Sequence, residues 1–198
     1  GYWEKLSKNC TKCVQLSEAI EGKVLALPSR PQYRWSKKLR QRRMNRDYFK
    51  QMHDISGADM PPRPKFYPTE TEEKRAQFVR DRTGGFLIMW VLSGSSVHKA
   101  WPYTDNVVER LLLDHPEVRI VLVGEELCKV LEDPWKNDKR VIRKCGRWVN
   151  RKKLTLSKKV DMEVMTENGV ANCVAYEDVP KILFLSHSSP KNWGVEFI

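Results

Sequence analysis

The sequence predicts an α/β protein, a Rossmann-like three-layer domain with a mainly parallel sheet. Two observations lead to this fold class. Apolar runs without alternation, FLIMWVLS at 86–93 and VRIVLVG at 118–124, are typical of strands that are buried on both faces. Segments with helical spacing of apolar residues separate such runs along the chain. Regular alternation of strands and helices indicates parallel strands with helices on both sides of the sheet.

Length and charge limit the classes of function. The chain has 198 residues, and 36 Lys and Arg against 25 Asp and Glu give a net charge of +11. A positive charge of this size favours anionic partners: nucleic acid, nucleotide phosphates or acidic lipid headgroups. The longest apolar run, at 86–92, is far shorter than the roughly 20 residues that span a bilayer. The N-terminus has no signal-peptide layout. We therefore expect a cytoplasmic protein without a transmembrane segment.

The cysteine and histidine residues favour neither a metal site nor a disulfide framework. The chain has five cysteines, an odd number, which is typical of reduced thiols in a cytoplasm. Cys10 and Cys13 form a Cys-x-x-Cys sequence, but no second pair of ligands accompanies it. The histidines are isolated, and no Asp-x-Asp sequence occurs. We expect no metal and no cofactor.

Residues 1–67 differ in composition from the rest of the chain. KKLRQRRMNRDYFK at 37–50 has helical spacing and a dense basic face, and a proline-rich passage follows it. This run is either a solvated helix face or a nucleic-acid-binding patch of six residues: Lys37, Lys38, Arg40, Arg42, Arg43 and Arg46. We interpret 1–67 as the remnant of an N-terminal domain with a basic, proline-rich connector, and 68–198 as the Rossmann-like domain.

The first elements of this domain have clear start and stop signals. Thr69 and Glu72 have the spacing of a capping box, which predicts a helix that runs to about Arg82 and stops at Gly84-Gly85. After the strand at 86–93, TDNVVERLLLDH at 104–115 is predicted to be helical. Its apolar residues fall on one helical face: Val107, Val108, Leu111 and Leu112.

The later elements are shorter. EELCKVLED at 125–133 is predicted to be a helix, and RVIRKC at 140–145 a third strand. LTLSKKV at 154–160 is predicted to form a helical turn. The alternation then continues with a strand, a helix and a strand, which are EVMTE, NGVANCVAY and KILFLSH at 163–167, 168–176 and 181–187.

Candidate binding residues follow the first two strands, because parallel sheets bind ligands at the carboxyl ends of their strands. After the first strand, Ser95 and Ser96 can donate to phosphate oxygens, and Lys99 supplies a compact positive charge nearby. After the second strand, Glu125 or Glu126 can accept both hydroxyls of a ribose. Each of these motifs also has an ordinary structural interpretation, as a strand-to-helix loop or as the first turn of a helix.

A third candidate group follows the strand at 163–167. Glu167, Asn168 and Gly169 open the next helix and present backbone amides to an anion or to sugar hydroxyls. The alternative interpretation is a tight turn. One ligand at the carboxyl edge of the sheet can contact all three groups, which is why together they indicate a site.

Three segments resemble a known family in their order and spacing. SGSSVHKAWP at 93–102, RIVLVGEE at 119–126 and ENGVANCVAYEDVPKILFLSHSS at 167–189 resemble the carboxyl-terminal domain of the ADP-heptose:lipopolysaccharide heptosyltransferase family. The resemblance extends from about Asn45 to Trp193. It implies the C-terminal half of a two-domain GT-B glycosyltransferase, in which two Rossmann-like domains face a cleft and the second holds most of a nucleotide-sugar donor.

The resemblance also implies roles for individual residues. Lys99 would neutralise the diphosphate and stabilise the leaving group, and Glu125 or Glu126 would hold the ribose. Glu167 would face the sugar, because a carboxylate beside a diphosphate is repelled. Asn172 stands where the family commonly has His. The implied donor-binding residues are Ser95, Ser96, Lys99, Glu125, Glu126, Glu167, Asn168, Gly169 and Asn172.

The family's N-terminal domain binds the acceptor and supplies a carboxylate base. Here only residues 1 to about 40 correspond to it, so we expect this chain to bind a nucleotide sugar without turning it over. The implied partners are the donor, a saccharide or other hydroxyl acceptor, and the N-terminal domain. Two other classes of function stay open: a noncatalytic scaffold with the same fold, and a basic nucleic-acid-binding module.

Overall fold

The computed structural model describes residues 65–94 and 99–185, with five isolated positions at 36, 38, 39, 42 and 190. The chain divides into two compact units, and the elements below belong to the unit Pro64–Ser186 with Phe197–Ile198. The predicted domain boundary at 67/68 stays a prediction. The basic run at 37–50 and the Cys-x-x-Cys sequence lie almost entirely outside the described residues.

Five parallel strands form one sheet in the order β3-β2-β1-β4-β5. β1 is the central strand, and β2 and β3 extend the sheet on one side of it. The chain then crosses to the other side, where β4 and β5 complete the sheet, as in Rossmann-like domains. The prediction of an α/β Rossmann-like fold is therefore confirmed. The strands are β1 (Phe86–Val91), β2 (Val118–Val123), β3 (Val141–Arg143), β4 (Met162–Thr166) and β5 (Lys181–Phe184).

Helices cover both faces of the sheet. They are α1 (Glu70–Thr83), α2 (Thr104–Asp114), α3 (Lys129–Glu132), α4 (Asn150–Ser157) and α5 (Gly169–Val174).

The two helical layers can be assigned from strand register. Val108 and Leu112 of α2 join the apolar core on one face of the sheet. Met89 and Glu163 are register partners and share the opposite face, where the hydroxyl of Ser157 in α4 donates to the Glu163 carboxylate. α1 packs against α4, and α4 against α5, so these three helices form the second layer.

The predicted capping box of α1 is confirmed. Thr69 Oγ1 accepts from the Glu72 amide at 3.3 Å, and the Glu72 carboxylate accepts from the Thr69 amide at 2.7 Å. The helix stops before Gly84 and Gly85, both at φ 61°. A Cβ on Gly85 would lie 2.2 Å from the carbonyl oxygen of Glu117, so only glycine fits this entry into β1.

The predicted single helix at 125–133 is wrong. The segment forms a 3-10 turn at Glu126–Cys128, the short α3, and a second 3-10 turn at Asp133–Trp135. Pro134 has no amide hydrogen to donate, which explains why α3 does not continue. The predicted strand at 140–145 is shorter, with only Val141–Arg143 in the sheet.

The helical turn predicted at 154–160 is a helix with different bounds, since α4 begins at Asn150 and ends at Ser157. Its residues 153–157 are all buried, so no exposed face marks the period of the helix in the sequence. Among the described residues no helix combines the length and apolar character that crossing a membrane requires.

Candidate functional site

The carboxyl ends of β1 and β4 form the switch point of the sheet. These two strands are neighbours, but the chain leaves β1 toward β2 on one side and leaves β4 toward β5 on the other. The crevice between two such departures is where open α/β sheets bind ligands. The segments that follow the two strands begin at Leu92 and Glu167.

Gly94 brings three parts of the predicted site together. A Cβ built on Gly94 would lie 2.8 Å from Lys99 Cδ, 2.9 Å from the Glu167 carbonyl oxygen and 3.3 Å from Asn168 Cβ. The Lys99 stem and the start of the Glu-Asn-Gly turn therefore pack against the same glycine. Two of the three predicted groups meet in space although Glu167 lies 68 positions after Lys99 in the sequence.

Aromatic stacking anchors the segment that carries Lys99. The Trp101 ring stacks on Phe184 of β5 with 4.3 Å between centroids, and it lies 6.4 Å from Trp90 of β1. The Trp101 carbonyl accepts from the Thr104 hydroxyl at 2.8 Å, which ties the segment to the start of α2. These contacts hold Trp101, two residues after Lys99, against Trp90 of β1, Phe184 of β5 and the start of α2.

Asn168 closes the turn between β4 and α5. Its Oδ1 accepts from the Ala171 amide at 3.0 Å, and its Nδ2 donates to the Thr166 carbonyl at 2.8 Å. The side chain therefore caps the helix, which leaves one Nδ2 hydrogen for a ligand. No atom of the described residues lies within 4 Å of a Cβ built on Gly169, so this part of the structure leaves open space above it.

The flanking residues of this turn are less accessible. Glu167 is buried, at 5% exposure, and Thr166 Oγ1 is buried without a hydrogen-bond partner among the described residues. Asn172 is half-buried, and its backbone amide donates to the backbone carbonyl of Asn168 at 3.2 Å. The exposed surface of the turn thus consists mainly of backbone at Gly169.

Glu125 lies at the end of β2 and pairs with a lysine that the sequence analysis did not identify. Lys153 of α4 donates from Nζ to Glu125 Oε1 at 2.9 Å and to Asn150 Oδ1 at 3.2 Å. The Lys153 side chain is 3% exposed, whereas that of Glu125 is 68% exposed. One carboxylate oxygen is held by the buried ammonium group, and the rest of the carboxylate faces solvent.

Glu126 points elsewhere. Its carboxylate pairs with Lys129 one turn along, and a Cβ built on Gly146 would clash with it. Gly146 has φ 65° and donates its amide to the Gly124 carbonyl at 3.1 Å. Of the two adjacent glutamates, Glu125 faces α4 and solvent, and Glu126 packs over the loop that follows β3.

Two thiols pack against the glycine at the end of β2. A Cβ on Gly124 would lie 2.6 Å from Cys128 Sγ and 3.4 Å from Cys145 Sγ. The hydrogen bond between the thiols lowers the pKa of Cys128 to about 7, and it raises the pKa of Cys145 together with burial. Cys145 is also held by its amide, which donates to buried Glu132 at 3.0 Å.

The structure therefore brings most of the predicted site residues to one edge of the sheet. Ser95 and Ser96 lie outside the described residues. The sequence analysis missed two positions, Gly94 and Lys153. A signal for Lys153 was present, because three consecutive basic residues at 151–153 in the first turn of a helix oppose its dipole and need partners.

A surface of this kind can bind an anion beside sugar hydroxyls. Lys99 supplies positive charge, the first amides of α5 have no intrahelical acceptor, and Glu125 supplies a hydroxyl acceptor. Within 65–94 and 99–185, no group of three or more His, Cys, Asp or Glu side chains is arranged to hold a metal ion.

Comparison with known structures finds the same Rossmann-like α/β arrangement in solved glycosyltransferase structures. One similar structure is the glycosyl transferase family 9 protein from Veillonella parvula DSM 2008, with a TM-score of 0.62 and 13% sequence identity. A second is the ADP-heptose lps heptosyltransferase II of E. coli, with a TM-score of 0.55 and 17% identity.

The likeness covers part of each molecule. It includes 75% of this chain and 46% of the Veillonella chain, and 71% of this chain and 44% of the E. coli chain. The matched region thus amounts to less than half of either solved structure. Neither the protein-family models nor the curated proteins returned a match.

Proposed function

We propose that the unit described here is the donor-binding domain of a glycosyltransferase, which holds a nucleoside diphosphate sugar for transfer to an acceptor hydroxyl. The observation that carries the proposal is the packing of Lys99 and the Glu167-Asn168 turn against Gly94 at the switch point. A cation, a small residue and free amides at this place suit a diphosphate. The heptosyltransferase-like fold supports the same assignment.

Each residue has a defined part in the proposed complex. The Lys99 ammonium group neutralises the diphosphate and stabilises the nucleoside diphosphate as its bond to the anomeric carbon breaks. Glu125 accepts the ribose hydroxyls, since its carboxylate is exposed and oriented by Lys153. The Gly169 amide and the remaining Asn168 hydrogen face the phosphate, and Glu167 lies on the sugar side. Three further donor-binding positions complete the proposal: Ser95, Ser96 and Asn172. Glu126, the alternative to Glu125 for the ribose, is directed toward the loop after β3 instead.

Transfer needs more than this unit. The acceptor oxygen bonds to the anomeric carbon while the diphosphate departs, and a general base removes the acceptor proton. We propose that the base comes from a second domain, as the resemblance implies. The chain alone is expected to bind the donor and its diphosphate product, and ADP with its sugar esters is the first group to test because the E. coli neighbour is named for ADP-heptose.

Calorimetric titration tests the proposal. Folded protein is titrated with ADP, UDP, GDP, an ADP sugar and pyrophosphate. Lys99→Ala is expected to weaken diphosphate binding by about 10- to 100-fold, since a charge-assisted hydrogen bond contributes roughly 1.5 to 3 kcal/mol. Lys139→Ala is the matched control, because Lys139 is exposed and precedes the amino end of β3, away from the carboxyl ends of the strands.

Two results contradict the proposal. One is the absence of heat beyond dilution for every nucleotide while thermal unfolding stays cooperative, which favours a noncatalytic scaffold. The other is equal weakening by Lys99→Ala and Lys139→Ala, which means that the anion is attracted by net charge and not by the site.

A further inference from the structure

A cavity of about 340 Å³ lies between α1 and α4 and shares no residue with the proposed donor site. Its walls are mainly apolar: Ala76, Val79, Trp148, Val149 and Leu156. A volume of this size falls within the range of about 300 to 1,000 Å³ that small-molecule sites occupy, and such sites usually have apolar walls with a few polar groups. The cavity is therefore large enough for the apolar body of a small ligand.

The charged residues of the cavity do not balance. Its lining contains three cations, Arg75, Arg151 and Lys152, and one carboxylate, Glu72. Arg151 binds Glu72 through two parallel hydrogen bonds of 2.6 and 2.7 Å. This contact is the main reason why the pKa of Glu72 falls to about 2, so the pair is ionised and its charges cancel.

Two cations remain after this cancellation. Arg75 and Lys152 are exposed at the cavity, and neither has an ion pair or a hydrogen bond from its side chain within the part of the chain that the structure describes. Two positive charges beside an apolar wall attract an anion and repel a cation. A neutral apolar ligand gains nothing from them.

Contacts beside the cavity hold its walls in place. The Arg151 guanidinium lies over the Phe66 ring at 4.9 Å and donates to the Tyr67 carbonyl at 3.3 Å. Lys159 of the turn after α4 pairs with Glu73 of α1 at 3.0 Å. These contacts fix the two helices relative to each other, so binding does not have to order the walls.

We propose that this cavity binds an amphipathic anion, a small molecule with an apolar body that ends in a phosphate or a carboxylate. The body lies against Val79, Trp148 and Leu156, and the anionic end lies between Arg75 and Lys152. The proposal does not depend on the function proposed for the sheet edge, because the two sites have no residue in common.

Decyl phosphate and decanoate are suitable probes, each titrated into the full chain below its micelle-forming concentration. Calorimetry gives the stoichiometry, and tryptophan fluorescence reports on the wall because Trp148 is part of it. We expect saturable binding of one anion per chain. Decanol is expected to bind at least about 10-fold more weakly, and decyltrimethylammonium weaker still, because of the two unpaired cations.

Three variants locate the site. Val79→Trp fills the cavity and is expected to abolish binding. Arg75→Glu changes an exposed side chain, so the fold is kept, and it is expected to weaken decyl phosphate binding by about 10-fold or more. Lys74→Gln is the matched control, since Lys74 pairs with Glu70 and does not line the cavity. It is expected to leave the affinity unchanged.

Several results would overturn the proposal. These are non-saturating binding, affinities that do not depend on the charge of the probe, and equal losses in Arg75→Glu and Lys74→Gln. Displacement of decyl phosphate by ADP would place the anion at the sheet edge and would equally contradict the cavity. If Val79→Trp does not fold, the comparison between Arg75→Glu and Lys74→Gln still decides the matter.

Discussion

Lys153 and Glu125 form an ion pair in which only the cation is buried. Nζ and Oε1 are 2.9 Å apart, and the side chains are 3% and 68% exposed. Burial of an ammonium group is costly unless a partner compensates it, so Glu125 stabilises the fold as well as facing the proposed ligand. The neighbouring pair of Lys129 and Glu126 is different, because both side chains are substantially exposed.

This difference predicts unequal effects of two adjacent substitutions. Glu125→Gln keeps an acceptor for Lys153 but removes the negative charge that compensates its buried ammonium group, and we expect it to lower the free energy of unfolding by roughly 2 kcal/mol. Glu126→Gln is the control and is expected to change it by less than about 0.5 kcal/mol. Urea unfolding of the two variants measures both values. Equal effects would show that the buried ammonium group does not depend on Glu125.

The glycines at the switch point give a second matched comparison. Gly94→Ala places a methyl group 2.8 Å from Lys99 Cδ and 2.9 Å from the Glu167 carbonyl, and we expect a loss of roughly 1 to 3 kcal/mol in the free energy of unfolding. Gly169→Ala places it in open space at the start of α5, where alanine favours the helix. This variant is expected to be neutral or slightly stabilising. Thermal unfolding distinguishes them, and a neutral Gly94→Ala would contradict the close packing.

The central part of the sheet could be predicted because β1 and β2 are buried on both faces. Leu87 to Leu92 are all at most 3% exposed, and this environment leaves an unbroken apolar run in the sequence. The start of α1 could also be predicted, because the capping box of Thr69 and Glu72 is a local interaction between residues three positions apart. Both of these signals depend only on neighbours in the sequence, and both were interpreted correctly.

The remaining features depend on contacts between distant residues. The bounds of α4 could not be predicted from the sequence, because the helix buries polar residues such as Lys153, Thr155 and Ser157. The pattern of apolar residues therefore does not follow the helix. The choice between Glu125 and Glu126 rests on Lys153, which lies 28 residues further along the chain. The sequence identified which strand ends carry the candidate site, but not which side chains are held in place there.

Glu163 predicts a dependence of stability on pH. Its side chain is fully buried, and one oxygen accepts from Ser157. Within the described part of the chain the other oxygen has no hydrogen-bond partner, with Lys181 Nζ 4.0 Å away and Glu177 also close enough to act on it. Burial raises the pKa of Glu163 from 4.5 to about 7. The fold therefore favours the protonated form, and this contribution is complete below about pH 4.5 and is lost as the pH rises through about 7.

Glu163→Gln is expected to remove this dependence. The variant keeps an acceptor for Ser157 but cannot ionise. Between pH 4.5 and 7 its free energy of unfolding is therefore expected to rise, relative to that of the original protein, by on the order of 3 kcal/mol. Urea unfolding across this range measures the difference. Glu109→Gln is the control, because Glu109 is exposed on α2. Parallel stability curves for the original protein and Glu163→Gln would contradict the raised pKa.

The thiol pair predicts a coupling that can be measured directly. Cys128 is 3% exposed, yet the hydrogen bond with Cys145 lowers its pKa from 9.0 to about 7 against the opposing effect of burial. Cys145→Ala removes that hydrogen bond and leaves burial in place, so we expect the pKa of Cys128 to rise well above 7. The ultraviolet absorbance of the thiolate, followed against pH, measures the change.

A Cys128→Ser variant supplies the baseline for the other thiols, so that the difference spectrum belongs to Cys128. The same coupling affects stability: a thiol whose pKa is lowered in the fold contributes stability above pH 9, and this contribution is lost as the pH falls through about 7. Between those values the original protein should become more stable with rising pH, and Cys145→Ala should not. An unchanged titration in Cys145→Ala would mean that other groups hold the Cys128 thiolate, and the two that lower its pKa are the backbone of Glu125, through a hydrogen bond, and the charge of Lys153.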